Sequence, residues 1–232
     1  MHRQVVVATI DRMRDALPEF SVTFSSRHVA AVRSLEIPLR GEVFAAGLPA
    51  VETCLDDEPC DVGAELLGQL AFFSVLPGMP QLIGLQIAFG WAFAESHIDE
   101  MAAMAGGLYQ RGLPGADLVD AFVAIGDATD ARLARSFRGE APQSADPSRV
   151  ARGIVLLRRT AAHAPEGIVP FLLCIIAWLL WVIGKRAHAR AYLADASRRD
   201  AHLLLVRAVD ALVDAGRPSW TPFEPTAEVA GH

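Results

Sequence analysis

Residues Gly167 to Gly184 carry no charged side chain, and Ile168 to Ile183 is almost purely apolar. A run of this kind has two places to go, the centre of a helical core or a lipid bilayer. A second window, Leu66 to Ala94, is free of charge over 29 positions. A membrane-spanning helix needs about 20 such residues, with about 17 the practical minimum. Lys185, Arg186 and Arg190 follow the first run as a positive-inside flank would. The membrane reading thus places a span at 168–183 and a further one within 66–94. Three features favour the core instead. Pro77, Gly78 and Pro80 divide the long window into two helices, expected at roughly 62–76 and 80–105. The 168–183 run has Pro170 near its start and sits at the short limit for a span. Two helices whose faces need a partner follow it directly. A buried core helix is the preferred reading, and membrane association its rival.

The chain has 232 residues, 52% of them apolar and 21% charged, with a mean hydropathy of +0.30, which excludes disorder for its bulk. A net charge of −6 argues against nucleic acid as a partner, since phosphate neutralisation needs a clustered basic surface. Abundant Ala and only 7% aromatic residues favour helix over sheet. The basic residues are 20 Arg and the single Lys185, a skew expected of a GC-rich genome. Three cysteines, Cys54, Cys60 and Cys174, are too few for a secreted disulfide framework, so a reducing cytoplasm is expected. The N-terminal apolar stretch is too short for a signal peptide before Asp11, Arg12 and Arg14 interrupt it.

Helix is expected at 4–17, ended by Pro18, and short strands at Phe20–Phe24, Leu35–Ile37 and Glu42–Phe44, giving a small mixed α/β element over 1–61. Residues 48–63 read as a loop. A helical region is expected over 62–138. Within it Leu118, Phe122, Ile125, Thr129 and Leu133 share one face and Asp117, Asp120, Asp127 and Asp130 the other, a solvated face rather than a metal site. Residues 139–147 form a linker, ended by Asp146 as N-cap with Pro147 at the first helical position. Helices are then expected to about His163, at 168–183, at 186–197 and at 200–215 with Gly216 as C-terminal cap, a helical hairpin region over 146–217. Residues 218–232, with Pro218, Pro222 and Pro225, read as a flexible tail.

Ile176, Ala177, Gly184, Ala189, Leu193 and Ala196 have the spacing at which small residues let two antiparallel helices approach closely, as in tetratricopeptide-type hairpins. There is one such unit, and Ala201 stands where the closing Pro would be. The fold expected is therefore mainly α, a helical bundle with a tetratricopeptide-like C-terminal hairpin and a small α/β N-terminal element. Pro170 to Trp178, Ala189 to Leu193, and Leu203–Leu205 with Asp214 to Pro218 resemble the C-terminal region of the actinobacterial domain-of-unknown-function family 4192. Gly126 to Leu133 and Cys54 to Gly63 are similar to motifs of that family's middle, although Gly47 to Thr53 replaces its Gly-Arg-Trp segment and Cys60-Asp61-Val62 its Cys-Cys-Pro. The resemblance implies a cytoplasmic protein of GC-rich bacteria and supplies no reaction.

Two groupings carry possible chemistry. Cys54 and Cys60, with His28 or an Asp, could hold zinc, but a lone pair separated by five residues lacks the paired short spacings of structural zinc. Glu95, His97, Asp99 and Glu100 gather titratable groups where a histidine beside carboxylates could act as acid or base. No phosphate loop, Gly-x-Ser-x-Gly or His-Glu-x-x-His motif is present, and no cofactor is expected. The expected role is structural or interactive, through a protein partner or self-association. The alternatives are a small integral membrane protein and an enzyme with its site near His97.

Overall fold

In a computed structural model of the chain, residues 1–15, 51–56, 62–75, 79–97, 132–140, 144–216 and 218 are described, and all their regular structure is helical. The principal helices are α1 (His2–Asp15), α2 (Ala64–Phe73), α3 (Met79–Phe89), α4 (Arg132–Phe137), α5 (Pro147–His163), α6 (Val169–Val182), α7 (Arg186–Arg199) and α8 (Leu204–Ala215). Shorter helical pieces lie at 51–56 and 91–97. The three expected strands and most of the helix expected around 115–137 fall outside the described residues.

The apolar run becomes α6. It is apolar on every side, and every residue from Val169 to Val182 except Phe171 is buried. It packs against α3, α5, α7 and α8, so each face meets protein. At about 1.5 Å per residue its 14 residues reach about 21 Å, short of the roughly 30 Å of a bilayer's hydrocarbon core. The 66–94 window is likewise divided, into α2 and α3. No helix among the described residues is long and apolar enough to cross a membrane.

Local signals explain most boundaries. The Asp146 carboxylate accepts from the backbone N–H groups of Ser148 and Arg149 and starts α5 where the sequence placed it. α6 ends in a paired turn, with Gly184 N–H donating to Trp181 and Lys185 N–H to Leu180, and Gly184 takes φ +77° to close it. α7 then folds back along α6 and buries Ala189, Leu193 and Ala196.

Three expectations need correction. The helix expected over 80–105 stops at Phe89, because Gly90 adopts φ +94° before the piece at 91–97 begins. Residues 51–56, read as loop, are helical, with Val51 and Leu55 one turn apart and both in the core. α8 starts at Leu204 rather than at residue 200, because Asp200 caps the end of α7 and its carboxylate accepts from His202 N–H at 2.9 Å.

Close helix contacts depend on missing side chains. A Cβ on Gly153 of α5 would stand 2.2 Å from Ile87 Cγ2 of α3, and one on Gly84 of α3 would stand 3.0 Å from the Trp178 ring of α6. The tail also begins inside the fold. Pro218 is buried against the backbone turn at Gly139, and Trp181 Nε1 donates to the Gly216 carbonyl.

Candidate functional site

Of the four residues grouped around the histidine, Asp99 and Glu100 lie outside the described residues. Glu95 and His97 lie in the helical piece 91–97 and diverge: Glu95 is exposed and His97 is 0% exposed. Two residues apart on a helix means about 200° apart around it, so neighbours in the chain face opposite ways. His97 meets instead a residue that spacing could not indicate, Ser136 of α4, 39 positions away.

His97 Nδ1 lies 2.8 Å from the Phe93 carbonyl oxygen, one turn earlier, and Nε2 lies 3.1 Å from Ser136 Oγ. A carbonyl only accepts, so Nδ1 carries the proton and Nε2 offers a lone pair to the serine hydroxyl. The Phe93 ring sits against the imidazole with centroids 4.7 Å apart. Ser136 is held by the end of α4, where Gly139 N–H donates to Ser136 and Glu140 N–H to Arg135, and Gly139 takes φ +97°. Next to it Phe137 stacks on Trp178 of α6 at 4.9 Å and 4°, and the Phe137 carbonyl accepts from Trp178 Nε1 at 2.8 Å.

A lone-pair nitrogen aimed at a serine hydroxyl is the pairing that activates a nucleophile. A reacting carbonyl would have to come within about 3 Å of Oγ. His97 and Ser136 are 0% and 2% exposed, so the pair is enclosed. It acts as a satisfied polar tie between 91–97 and α4.

A second polar cluster joins 51–56 to α5. Arg149, at 9% side-chain exposure, reaches Glu52 Oε2 at 2.5 Å through Nη2 and Asp56 Oδ1 at 2.7 Å through Nη1. Nη2 also donates to the Gln86 carbonyl of α3, and Gln86 Nε2 donates to Glu52 at 3.2 Å. Arg149 Nε finds no acceptor among the described residues. Arg152 Nε donates to the Leu55 carbonyl. This junction was not anticipated. Its one visible signal is Gln86, a buried polar residue in a helix whose other buried residues are apolar.

Cys54 belongs to the same segment and is disulfide-bonded. The reduced state implied by the expected reducing cytoplasm does not hold at Cys54. Zinc ligation requires thiolate. Cys60 and His28 lie outside the described residues, and no group of three or more His, Cys, Asp and Glu among those described could hold a metal ion. Cys174 is a free thiol within α6; burial, with the Asp200 carboxylate adding to it, pushes it up to about 12.

An open cleft of about 410 Å³ lies along one face of α1, lined by Arg3, Gln4, Val7, Ala8 and Asp11. It gathers no acid–base pair. Comparisons with protein-family models, with curated proteins and with solved structures find no match.

Proposed function

We propose that the chain is a cytoplasmic helical interaction protein that engages a protein partner or a second copy of itself. The observation that carries this reading is that, among the described residues, the buried polar side chains of His97 and Arg149 are engaged in contacts between helices. His97 holds Ser136, Arg149 holds Glu52 and Asp56, and the cleft on α1 is a shallow, exposed groove.

The C-terminal helices are read as a tetratricopeptide-like hairpin, from the spacing of Ala177, Gly184, Ala189, Leu193 and Ala196. Burial of Ala177, Ala189, Leu193 and Ala196 where α6 meets α7, with Gly184 in the turn between them, supports that reading. One unit cannot form a solenoid, so the hairpin serves as part of a bundle.

Two measurements test the proposal together. Lysis without detergent followed by an alkaline carbonate wash should leave the protein in the supernatant; retention in washed membranes overturns it. Sedimentation equilibrium over a wide concentration range should give a mass above the 24.9 kDa of one chain, or cross-linking in cells should give a defined protein adduct. A chain that stays single in both overturns the interaction reading.

A further inference from the structure

Four large apolar side chains are exposed among the described residues: Met1, Val5, Val155 and Leu204. Leu204, at 58% exposure, is the first residue of α8 and heads a face that stays exposed to the end of the helix. Ala208, Ala211 and Ala215 follow it at steps of four, three and four, on the side away from the buried Leu205, Val206, Val209 and Val213. Those steps read the same in both directions about a point between Val209 and Asp210. Such a face matches a second copy of itself run antiparallel, the self-complementary contact of a two-fold dimer. It sets Leu204 against the partner's Ala215 and Ala208 against the partner's Ala211. Large meets small at the ends and methyl meets methyl in the middle, so the helices can approach to about 8 Å.

Charge agrees with the same partner. The charged residues of α8 are Arg207, Asp210 and Asp214, and they lie along one flank of the exposed face. A two-fold axis keeps that flank on the same side in both copies. At about 1.5 Å per residue, Arg207 then falls midway between the partner's Asp210 and the partner's Asp214, about 3 Å along the helix from each. Arg207 has no ion-pair partner among the described residues of its own chain. The exposed Val155 offers no such match. It stands one turn from Arg158 and Arg159, so a two-fold contact there sets arginine against arginine.

We propose that α8 pairs two copies of this chain, antiparallel, through Leu204, Ala208, Ala211 and Ala215. The pairing deepens the self-association reading above and rests on it. Twelve residues make about 18 Å of helix, so the contact falls below the roughly 1,200 Å² of a stable interface and the dimer dissociates on dilution.

The test is sedimentation equilibrium of the full chain over a wide concentration range. Wild type should pass from the 24.9 kDa of one chain to twice that mass and go no further, because a two-fold contact is closed by two copies. Ala211→Glu sets a carboxylate on the apolar face of each copy and should weaken the dimer about 100-fold, with far-ultraviolet circular dichroism unchanged. Arg207→Glu should weaken it roughly 10-fold, and Asp210→Arg added to it should recover most of that loss. A mass that stays at one chain throughout, or one that rises past two, overturns the pairing; the broader interaction reading then rests on cross-linking to another protein. A dimer that both Ala211→Glu and Arg207→Glu leave intact also overturns the pairing, while the self-association reading stands. If Ala211→Glu does not fold, the charge swap decides the matter, since Arg207 and Asp210 are both exposed.

Discussion

The surroundings of α6 and the junction at Arg149 are both buried, yet they are held by opposite means. Around α6 the contacts are apolar on every side, and its indole donors are satisfied by backbone carbonyls. At Arg149 a single enclosed cation depends on two carboxylates from a short, separate piece of chain. Apolar packing is spread over many atoms and tolerates the loss of any one contact. A buried charge is all-or-none, because removing one partner strands the other. The first region therefore sets how stable the molecule is, and the second sets where 51–56 sits.

The largest effect is expected in the apolar region. Trp178→Ala removes a wholly buried ring, its stack on Phe137 and its hydrogen bond to the Phe137 carbonyl, and opens a cavity beneath Gly84. Such truncations cost about 3–5 kcal/mol. Urea unfolding should show that loss equally at low and high salt. A cost below about 1 kcal/mol, or a marked salt dependence, would mean that α6 is not the centre of the fold.

Glu52→Gln should come next, at about 2–3 kcal/mol, below the usual figure for a buried pair because Asp56 remains and Glu52 is 23% exposed. Replacing both charges, in Arg149→Met with Glu52→Gln, should recover most of the loss, since no stranded cation is left. A double-mutant cycle measures this coupling. Additive costs would place the junction in the same class as the packing around α6.

The sequence shows the first region well and the second hardly at all. An uninterrupted apolar run is a property of consecutive residues, and so are the Asp146-Pro147 start and the Gly184 and Gly216 stops; each lands within a residue or two of its expected place. The Arg149 junction and the His97–Ser136 tie each join residues dozens of positions apart, and no local period encodes them. Proximity in sequence misled at Glu95 and His97, where helix geometry turns neighbours apart. The helical piece at 51–56 is not legible, because fewer than two turns are too short to show a period of 3.6.

Asp146→Ala probes the boundary between the two regions, since α5 touches both. Loss of the N-cap should cost about 1 kcal/mol, and Asp146→Asn should restore most of it. Circular dichroism melting of the three proteins would show this ordering. If Asn does no better than Ala, the carboxylate acts through charge on Arg149 rather than as a cap.

The smallest effect marks the exposed limit of the comparison, where charges join α7 to α8 in full contact with water. The Asp214 carboxylate accepts from Arg190 Nη2 at 2.6 Å and lies 3.7 Å from Arg186 Nη2. The hydrogen bond from Arg190 is the main cause that holds its carboxyl below the ordinary 3.8, with the charges of Arg190 and Arg186 adding to it. A carboxyl whose folded value lies below its unfolded one contributes stability that is fully present above the unfolded value and is lost as pH falls through the folded one. The contribution should thus be intact at neutral pH and fade only below about pH 4, and salt should weaken it, because the pair is exposed. Following the Asp214 side-chain carbon by NMR titration should give a midpoint below 3.8 that rises toward it in Arg190→Gln. An unmoved midpoint would mean that the Arg190 charge does nothing to join α7 to α8, leaving the Arg186 hydrogen bond to the Asp214 carbonyl and the apolar contacts. Of the two charged junctions compared, charge would then matter only at the buried one, Arg149.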